Sequence, residues 1–433
     1  MKKILASFAC MALFMACGEK SADYDDLFAG GESKSVKLTL KDGKFTDGRD
    51  GQKYSVVIIG NQIWMAENLR YADSSKTSNL KGNMWCHEDS MENCDMYGPL
   101  YSWTAAMNLD AKNVSSLATI TYDATYGVHG ICPDNWRLPT VDDWSALEGY
   151  LYTYVSGAQP VGADLKAVKG WEDVDSIAKP LNRSGFAALP AGRRNSEGGF
   201  MSTGKYAFFW SSGQIDAATA SGWTLRSDNA YLDDGEYYKD HGMSVRCLLG
   251  YNYKSVNIEG DIDSSYLEDI PFDYGKMEID GHSYKTIQIG DQNWMAENAF
   301  VKTDDSWCYN DDEDNCEKLG RLYSFEAAKK VCPEGWKLPT KSDFQILTSY
   351  VRTATALRSR EGWTDKGTKG LNLWGFNVKA AGGREGSDYF DMKMSSYMWN
   401  DEQGVLMLRY YEDDMQQVLK ESNHAYSVRC IEE

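Results

Sequence analysis

The chain has 433 residues, of which 64 are acidic and 45 basic, and its formal net charge is −19. This balance excludes nucleic-acid binding as the main function, because contacts with phosphates require clustered Lys and Arg side chains. Hydrophobic residues make up 42% of the chain, which is enough for packed cores and excludes wholesale disorder. At roughly 150 residues per domain, the length predicts two or three domains.

The N-terminus, residues 1–16, has the pattern of a lipoprotein signal peptide. A short basic start precedes an apolar run from Ile4 to Ala16, which is shorter than the roughly 20 residues that span a bilayer. Ala16 is followed directly by Cys17, and this resembles a bacterial lipobox, which implies cleavage before Cys17 and a lipid on its thiol. The alternative is a conventional signal peptide with an incidental cysteine. Several acyl chains on one residue would anchor the protein stably.

Five sequence blocks recur in the same order, so the chain contains two copies of one domain. The blocks begin at Asp50 and Asp280, Gly98 and Gly320, Cys132 and Cys332, Gly185 and Gly375, and His241 and His424. The first copy covers residues 40–249 and the second covers residues 272–433. Residues 17–39 are polar and acidic and predict a flexible tether, and the acidic, serine-bearing residues 250–271 predict a linker.

Each copy shows the same sequence of local patterns. Alternating apolar residues predict a strand over residues 54–59 and, after Gly60, a second strand that ends at Trp64. Thr140 with Asp143 resembles a helix-capping box, as does Thr340 with Asp343. Short helices are expected at residues 101–107 and 323–330. The second half of each copy predicts short strands and long loops, and the fold class is therefore α+β.

Eight cysteines remain after Cys10 and Cys17 are set aside, four in each copy. An even number of cysteines in a secreted protein predicts disulfide bonds, and four cysteines allow three pairings. Our hypothesis is two local bonds and two bonds that close each copy end to end. These pairs are Cys86–Cys94, Cys308–Cys316, Cys132–Cys247 and Cys332–Cys430. The alternative, four thiolates on zinc, lacks any Cys-x-x-Cys spacing.

Several shared polar residues are candidates for chemistry, and each has a structural alternative. Glu67 and Glu297 could act as acids beside a Trp, or could pair with Arg or with backbone N–H groups. His241 and His424 lie three residues before Ser244 and Ser427, but residues three apart on an extended strand face opposite sides. We therefore predict no catalytic residues.

Ligand contacts are the remaining possibility. The acidic run Asp311 to Asp314 could bind calcium or could be solvated charge, and no other cofactor or metal is predicted. Trp399-Asn400-Asp401 is similar to a calcium-binding triplet of C-type lectins, so Asn400 and Asp401 are candidate ligand residues. Trp85 and Trp307 lie beside loop cysteines and are expected to be exposed, where a ring face can stack on a sugar.

The repeated blocks together resemble the Fibrobacter succinogenes major paralogous domain, a family of secreted bacterial domains without an assigned activity. The resemblance rests on the Trp-Met-Ala-Glu-Asn, Gly-x-Leu-Tyr, Cys-Pro-x-x-Trp-x-Leu-Pro-Thr and Ser-Val-Arg-Cys blocks and covers nearly all of both copies. The block at 137–144 is also distantly similar to the formylglycine-generating enzymes, which implies two tandem C-type-lectin-like domains. It does not imply their oxidase activity, because those enzymes use a closely placed pair of reactive cysteines.

These patterns predict a lipid-anchored protein of the cell envelope, at the outer membrane or cell surface, attached to the membrane through its lipid. The expected function is non-enzymatic binding or adhesion, with polysaccharide or envelope proteins as partners and no nucleic acid. The fold resemblance is only an analogy for function. The alternatives are an envelope enzyme related to the formylglycine-generating fold and a structural scaffold without a ligand.

Overall fold

The computed structural model describes residues 36–121, 127–172, 179–249, 256–366, 369–420 and 423–433. The predicted signal peptide (residues 1–16), Cys17, the tether as far as residue 35 and linker residues 250–255 lie outside the described residues. Within the described ranges, no helix has both the length and the apolar character needed to cross a membrane.

The fold is α+β, with helices in equivalent positions of the two copies. In the described part of the first copy they are Met91–Tyr97, Trp103–Ala106, Val141–Tyr154 and Gly162–Leu165. In the second copy they are Glu313–Leu319, Phe325–Ala328, Lys341–Val351 and Ala354–Leu357. The predicted short helices at 101–107 and 323–330 are therefore present, although each forms a single turn.

Each copy is built on an antiparallel five-stranded sheet with the same strand order. In the first copy the order is Lys44–Thr46, Lys53–Ile59, Gln62–Met65, Leu248–Leu249 and Trp136–Arg137. In the second copy it is Gly275–Ile279, His282–Ile289, Gln292–Met295, Ile431–Glu432 and Trp336–Lys337. The last strand of each copy thus lies between the N-terminal hairpin and a strand from the middle of the domain.

A three-stranded antiparallel sheet forms the second half of each copy. Its strands are Tyr206–Gln214, Thr219–Arg226 and Leu232–Tyr238 in the first copy, and Ser395–Trp399, Gly404–Arg409 and Gln416–Leu419 in the second. The expectation of short strands was wrong for the first copy, whose three strands have nine, eight and seven residues. Apolar and aromatic residues inside Tyr206–Gln214 are buried on both faces, which favours a long strand.

Short two-residue and three-residue strands complete the structure. In the first copy Met84–Trp85 pairs with Leu100–Tyr101, and Arg193–Arg194 pairs with Phe200–Met201. In the second copy the corresponding strands join one sheet, in the order Ser306–Trp307, Leu322–Ser324, His424–Tyr426, Gly383–Glu385 and Asp388–Phe390.

The two predicted capping boxes are confirmed and explain where the longest helices begin. The Asp143 N–H donates to Thr140 Oγ1 at 3.1 Å, and the Thr140 N–H donates back to Asp143 Oδ2 at 2.7 Å. Thr340 and Asp343 form the same pair of bonds at 3.0 and 2.8 Å. Each helix then buries an apolar face against the central sheet, with Trp144 and Leu147 in the first copy and Phe344 and Leu347 in the second.

The predicted linker is packed between the two copies. Val256–Glu259 forms a parallel ladder with Val36–Thr39, the last residues of the predicted tether. Further along, the Tyr266 ring packs against Gly185 of the first copy, and the ring of Phe272, the first residue of the second copy, packs against Gly375. Apolar residues of both copies consequently share one buried cluster with linker residues. Burial of these linker side chains, which the acidic composition concealed, stabilises the docked arrangement.

The structure contains the four predicted disulfide bonds, Cys86–Cys94, Cys132–Cys247, Cys308–Cys316 and Cys332–Cys430. Cys132 and Cys247 are fully buried beside the central sheet of the first copy. This bond and its counterpart therefore fix the last strand of each copy to the middle of the domain.

We expect the long disulfide to stabilise the first copy more than the short one. The Cys132–Cys247 bond closes a loop of 115 residues and the Cys86–Cys94 bond a loop of 8. On the chain-entropy model, these loops correspond to about 4–5 and about 2–3 kcal/mol. Urea unfolding of Cys132→Ser/Cys247→Ser and of Cys86→Ser/Cys94→Ser should show this order. Equal losses of stability would contradict the assigned role of the long bond.

Candidate functional site

A buried arginine brings three of the repeated blocks of the first copy together. Arg246, from Ser-Val-Arg-Cys, donates to Asn68 Oδ1 at 2.8 Å and to the carbonyl oxygen of Met65 at 3.1 Å, both in the Trp-Met-Ala-Glu-Asn block. It also donates to the carbonyl oxygen of Phe186, in the block that begins at Gly185 (the Gly-Phe block), and its guanidinium lies 4.4 Å from the centre of the Phe186 ring. The Asn68 amide in turn donates to the carbonyl oxygen of Tyr97 at 2.8 Å.

Arg429 occupies the same position in the second copy. Its Nε donates to Asn298 Oδ1 at 2.8 Å, and its terminal nitrogens donate to the carbonyl oxygens of Phe376 and Asn377. The Asn298 amide donates to the carbonyl oxygen of Leu319 at 2.8 Å. The repeated blocks therefore recur because they build the same buried network twice.

Burial lowers the pKa of both arginines to about 9, and the negative charges of Glu67 and Glu297 act in the opposite direction. Both guanidinium groups consequently remain charged near neutral pH. A buried cation is tolerated only when its N–H groups find acceptors, and here backbone carbonyls and an Asn oxygen provide them. The arginine and the asparagine that both copies share thus have a structural role.

The candidate acids and bases have structural partners in the first copy. Glu67 accepts from the Ser55 N–H at 2.8 Å and pairs with Arg70 at 2.5 Å. Burial raises the pKa of Glu67, but these bonds offset it, and the net shift is downward. His241 contacts Arg193 at 3.3 Å, whereas Ser244 accepts from Asn68, so no Ser–His pair forms.

The second copy repeats this separation of the Ser and His side chains. His424 Nε2 lies 3.7 Å from Glu385 Oε2, and Ser427 Oγ accepts from Asn298 Nδ2 at 3.3 Å. In both copies the Ser and the His therefore contact different residues, as the alternation of side chains along an extended strand predicted.

The two copies differ at the position two residues after the network asparagine, Asn68 or Asn298. In the first copy Arg70 covers Tyr54 at 4.7 Å, pairs with Glu67 and donates to the carbonyl oxygen of Lys53 at 2.6 Å. In the second copy Phe300 stands at the aligned position. The backbone is unchanged, because the N–H of Arg70 and that of Phe300 each donate to a tyrosine hydroxyl, at 3.0 and 3.1 Å.

This exchange leaves a cavity of about 330 Å³ in the second copy, which we call the Glu297 cavity. Glu297 accepts one bond, from the Lys285 N–H at 2.9 Å, and no cation of the described residues lies within ion-pair distance of it. Aromatic side chains form one wall, with the His282 ring 4.5 Å from Tyr284 and 4.6 Å from Phe300.

Charged side chains from other elements also line the Glu297 cavity. Glu317 and Lys318 lie on the helix Glu313–Leu319, which the Cys308–Cys316 bond fixes at its middle. Lys379 follows the Gly-Phe block, and its ammonium donates to the carbonyl oxygen of Lys318 at 2.9 Å. The cavity therefore combines ring faces, carboxylates, ammonium groups and amides, which can orient a polar ligand with apolar faces.

The predicted aromatic ligand residues lie outside this cavity. Trp85 and Trp307 are half-buried, and each is stacked with the arginine of the Ala-Gly-x-Arg block, Arg194 at 4.3 Å and Arg384 at 4.1 Å. The expected exposure of these tryptophans is only partial, because a guanidinium group lies over each ring. The same stack occurs in both copies and belongs to the domain structure.

The predicted lectin-like residues form a turn. Asn400 is buried, and its Oδ1 accepts from the N–H groups of Glu402 and Gly404 at 3.0 and 2.7 Å, which closes a hairpin. Asp401 lies exposed at the tip of the hairpin. Partial desolvation of its carboxylate, together with the negative charge of the neighbouring Glu402, raises its pKa. Neither residue lines the Glu297 cavity.

The acidic run in the second copy is exposed, and its members have separate partners. Asp311 accepts from the Tyr389 hydroxyl at 2.6 Å, Asp312 caps the helix Glu313–Leu319, and Glu313 lies 3.4 Å from Arg321. Two cysteines lie beside Glu313, but their sulfur atoms are joined in a disulfide and do not supply thiolate ligands. Calcium binding at this loop stays a prediction.

Sequence reasoning missed His282, Phe300, Lys318 and Lys379 because it weighed the residues that the copies share. The usable signal was a difference between the copies: Arg70 against Phe300 beside an otherwise identical Trp-Met-Ala-Glu-Asn block. Arg70 covers Tyr54 and pairs with Glu67 in the first copy, whereas an apolar ring, Phe300, stands there in the second. This difference indicates a closed site in the first copy and an open one in the second.

The described structure is that of a duplicated, disulfide-bonded α+β protein. A family model, the Fibrobacter succinogenes major domain, matches residues 57–248 and 287–432. The chain belongs to this family and contains two tandem copies of its domain. Comparisons with curated proteins and with solved structures found no match.

We expect the buried arginine to be essential for the first copy. Arg246→Met removes the donor for Asn68, Met65 and Phe186, and unsatisfied buried acceptors of this kind should cost about 3–5 kcal/mol in the free energy of unfolding. Arg70→Met, which breaks a half-exposed pair with Glu67, should cost about 1 kcal/mol or less. Urea unfolding followed by Trp fluorescence measures both, and similar costs would refute the structural role of Arg246.

Proposed function

We propose that this protein is a lipid-anchored protein of the bacterial cell envelope that binds glycans without altering them chemically. The observation that carries the proposal is the Glu297 cavity, which is open in the second copy and whose counterpart Arg70 covers in the first. The second copy is then the ligand-binding domain, and the first copy precedes it in the chain, on the side of the lipid anchor.

The composition of the cavity suits a sugar. Sugar rings present apolar C–H faces that pack on aromatic side chains, and their hydroxyls require fixed donors and acceptors. His282 and Phe300 provide the aromatic surface, and Glu297, Lys318 and Lys379 provide polar atoms. Because Glu297 lacks the arginine that occupies Glu67, its free oxygen is available to accept from a hydroxyl.

We also propose that each copy has a C-type-lectin-like fold. The position of the last strand supports this: Leu248–Leu249 and Ile431–Glu432 return to pair with the N-terminal hairpin of their own copy. A disulfide bond then fixes this return in each copy. The site residues of lectins are not transferred, because Asn400 is used within a turn.

The proposed location rests on the chain's chemistry. Four disulfide bonds are typical of an oxidising compartment outside the cytoplasm. The apolar run before Cys17 has the pattern of a lipoprotein signal, and lipidation of Cys17 would attach the protein to the outer membrane or cell surface. Envelope proteins are the second class of proposed partner, beside polysaccharide.

We expect Phe300→Arg to abolish glycan binding. The introduced guanidinium should pair with Glu297 and occupy the cavity, as Arg70 does in the first copy, and should lower the affinity at least about tenfold. The control is Arg70→Phe, which opens the first copy and leaves the second copy unchanged. A glycan array with and without calcium, followed by titration calorimetry of the best ligand, measures the effect.

Each other outcome of this experiment leads to a distinct conclusion. Wild-type affinity in Phe300→Arg would place the glycan site elsewhere. Binding of no glycan at all would reject the proposal and leave a structural scaffold. Release of reducing ends, lost in Glu297→Gln or Glu317→Gln, would instead favour an enzyme, because both carboxylates line the cavity.

We expect Cys17→Ser to prevent membrane attachment, because the lipid would have no thiol to occupy. The variant should fail to incorporate radiolabelled palmitate and should appear in the soluble fraction. Cys10→Ser, which changes a cysteine inside the apolar run, is the matched control and should be labelled normally. Labelled Cys17→Ser protein would contradict the assignment.

A further inference from the structure

A second cavity adjoins the Glu297 cavity and lies between the linker and the second copy. It has a volume of about 710 Å³, and we call it the linker groove. Leu267 and Ile270 of the linker, together with Phe272 at the start of the second copy, form one side of it. Arg360 holds this side in place, because it donates to the carbonyl oxygens of Leu267 and Leu371.

The linker groove and the Glu297 cavity share one wall. Lys318, Leu319, Asn377 and Lys379 line both cavities. A chain-like ligand that occupies the Glu297 cavity can therefore extend into the linker groove across the two lysines.

The charge of the linker groove is opposite to that of the protein. Its basic lining residues are Lys318, Arg360, Lys369, Lys379 and Lys393, and its acidic ones are Glu268 and Glu361. The whole chain has 64 acidic and 45 basic residues, so five cations against two carboxylates is a strong local reversal. Clustered cations in a concave surface raise the local concentration of anions.

The first copy lacks four of these five cations, and the fifth, Lys369, aligns with Lys179. The residues aligned with Lys318, Arg360, Lys379 and Lys393 are Met96, Val168, Leu189 and Gly204. The last pair is informative, because Gly204 and Lys393 both have a left-handed backbone, with φ of +78° and +66°. This conformation favours glycine, yet the second copy has a lysine there. The basic groove is therefore a property of the second copy and not of the shared fold.

We propose that the linker groove binds the carboxylate groups of an acidic polysaccharide whose neighbouring residue occupies the Glu297 cavity. This inference rests on the proposed glycan binding and specifies the ligand class. The continuity of the two cavities favours a glycan over another polyanion, because His282 and Phe300 of the Glu297 cavity offer aromatic faces for a sugar ring beside the cations of the linker groove. Ammonium groups form charge-assisted hydrogen bonds with carboxylates.

The test uses polygalacturonate oligosaccharides and the same oligosaccharides with their carboxylates methyl-esterified. The variant Lys318→Met/Lys379→Leu/Lys393→Gly installs the residues of the first copy. The control Lys276→Met/Lys302→Met/Lys341→Met removes the same charge from exposed positions of the second copy that do not line the groove. Thermal unfolding of both variants verifies that they fold.

Titration calorimetry should show that the wild-type protein prefers the acidic form. The groove variant should lose about tenfold in affinity for the acidic form, because three exposed ion pairs together correspond to about a factor of ten. The control variant should lose little, because its three substituted lysines do not line the groove. Binding of the acidic form should weaken as the salt concentration rises from about 50 to about 500 mM.

Three results would overturn the inference and leave the proposed glycan binding intact. They are unchanged affinity in the groove variant, equal affinity for the esterified form, and binding only to neutral glycans in a manner that Phe300→Arg abolishes. Polyglutamate bound as tightly as polygalacturonate would also overturn it, because the groove would then recognise charge without a sugar. Absence of binding to any glycan would reject the proposed function itself.

Discussion

The fold of each copy depends on one buried cation. Arg246 and Arg429 are in the block that ends the domain, and their acceptors are in blocks near its beginning and in its second half. A fully buried guanidinium must find an acceptor for its N–H groups, and this requirement fixes the three segments relative to one another. The neighbouring long disulfide bond holds the same segments covalently.

This constraint explains why the repeated residues did not identify the site. Asn68 and Asn298, together with the two arginines, form the same buried hydrogen bonds in both copies. The positions that border the network without belonging to it are free of this constraint. Phe300 in place of Arg70 is such a position, and the exchange exposes Glu297 without disturbing the backbone beneath it.

The sequence was sufficient for the features with local or covalent causes. The capping boxes at Thr140 and Thr340 and the four disulfide bonds were predictable, because capping has a fixed spacing and the cysteine pattern recurs. The cavities were not predictable, because each is formed by residues from at least five separate segments. The packing of Tyr266 and Phe272 against the core was also missed, because two aromatic residues in or beside an acidic stretch give no periodic signal.

If Cys17 holds the protein at a surface, as we propose, the short parallel ladder between Val36–Thr39 and Val256–Glu259 has a mechanical consequence. Tension from a ligand on the second copy reaches the linker strand, and resistance from the anchor reaches the strand beside it. Opposing pulls on the two ends of parallel strands load all of their hydrogen bonds in shear at once. The load can thus cross directly from strand to strand, and the first copy stays outside the path of the force.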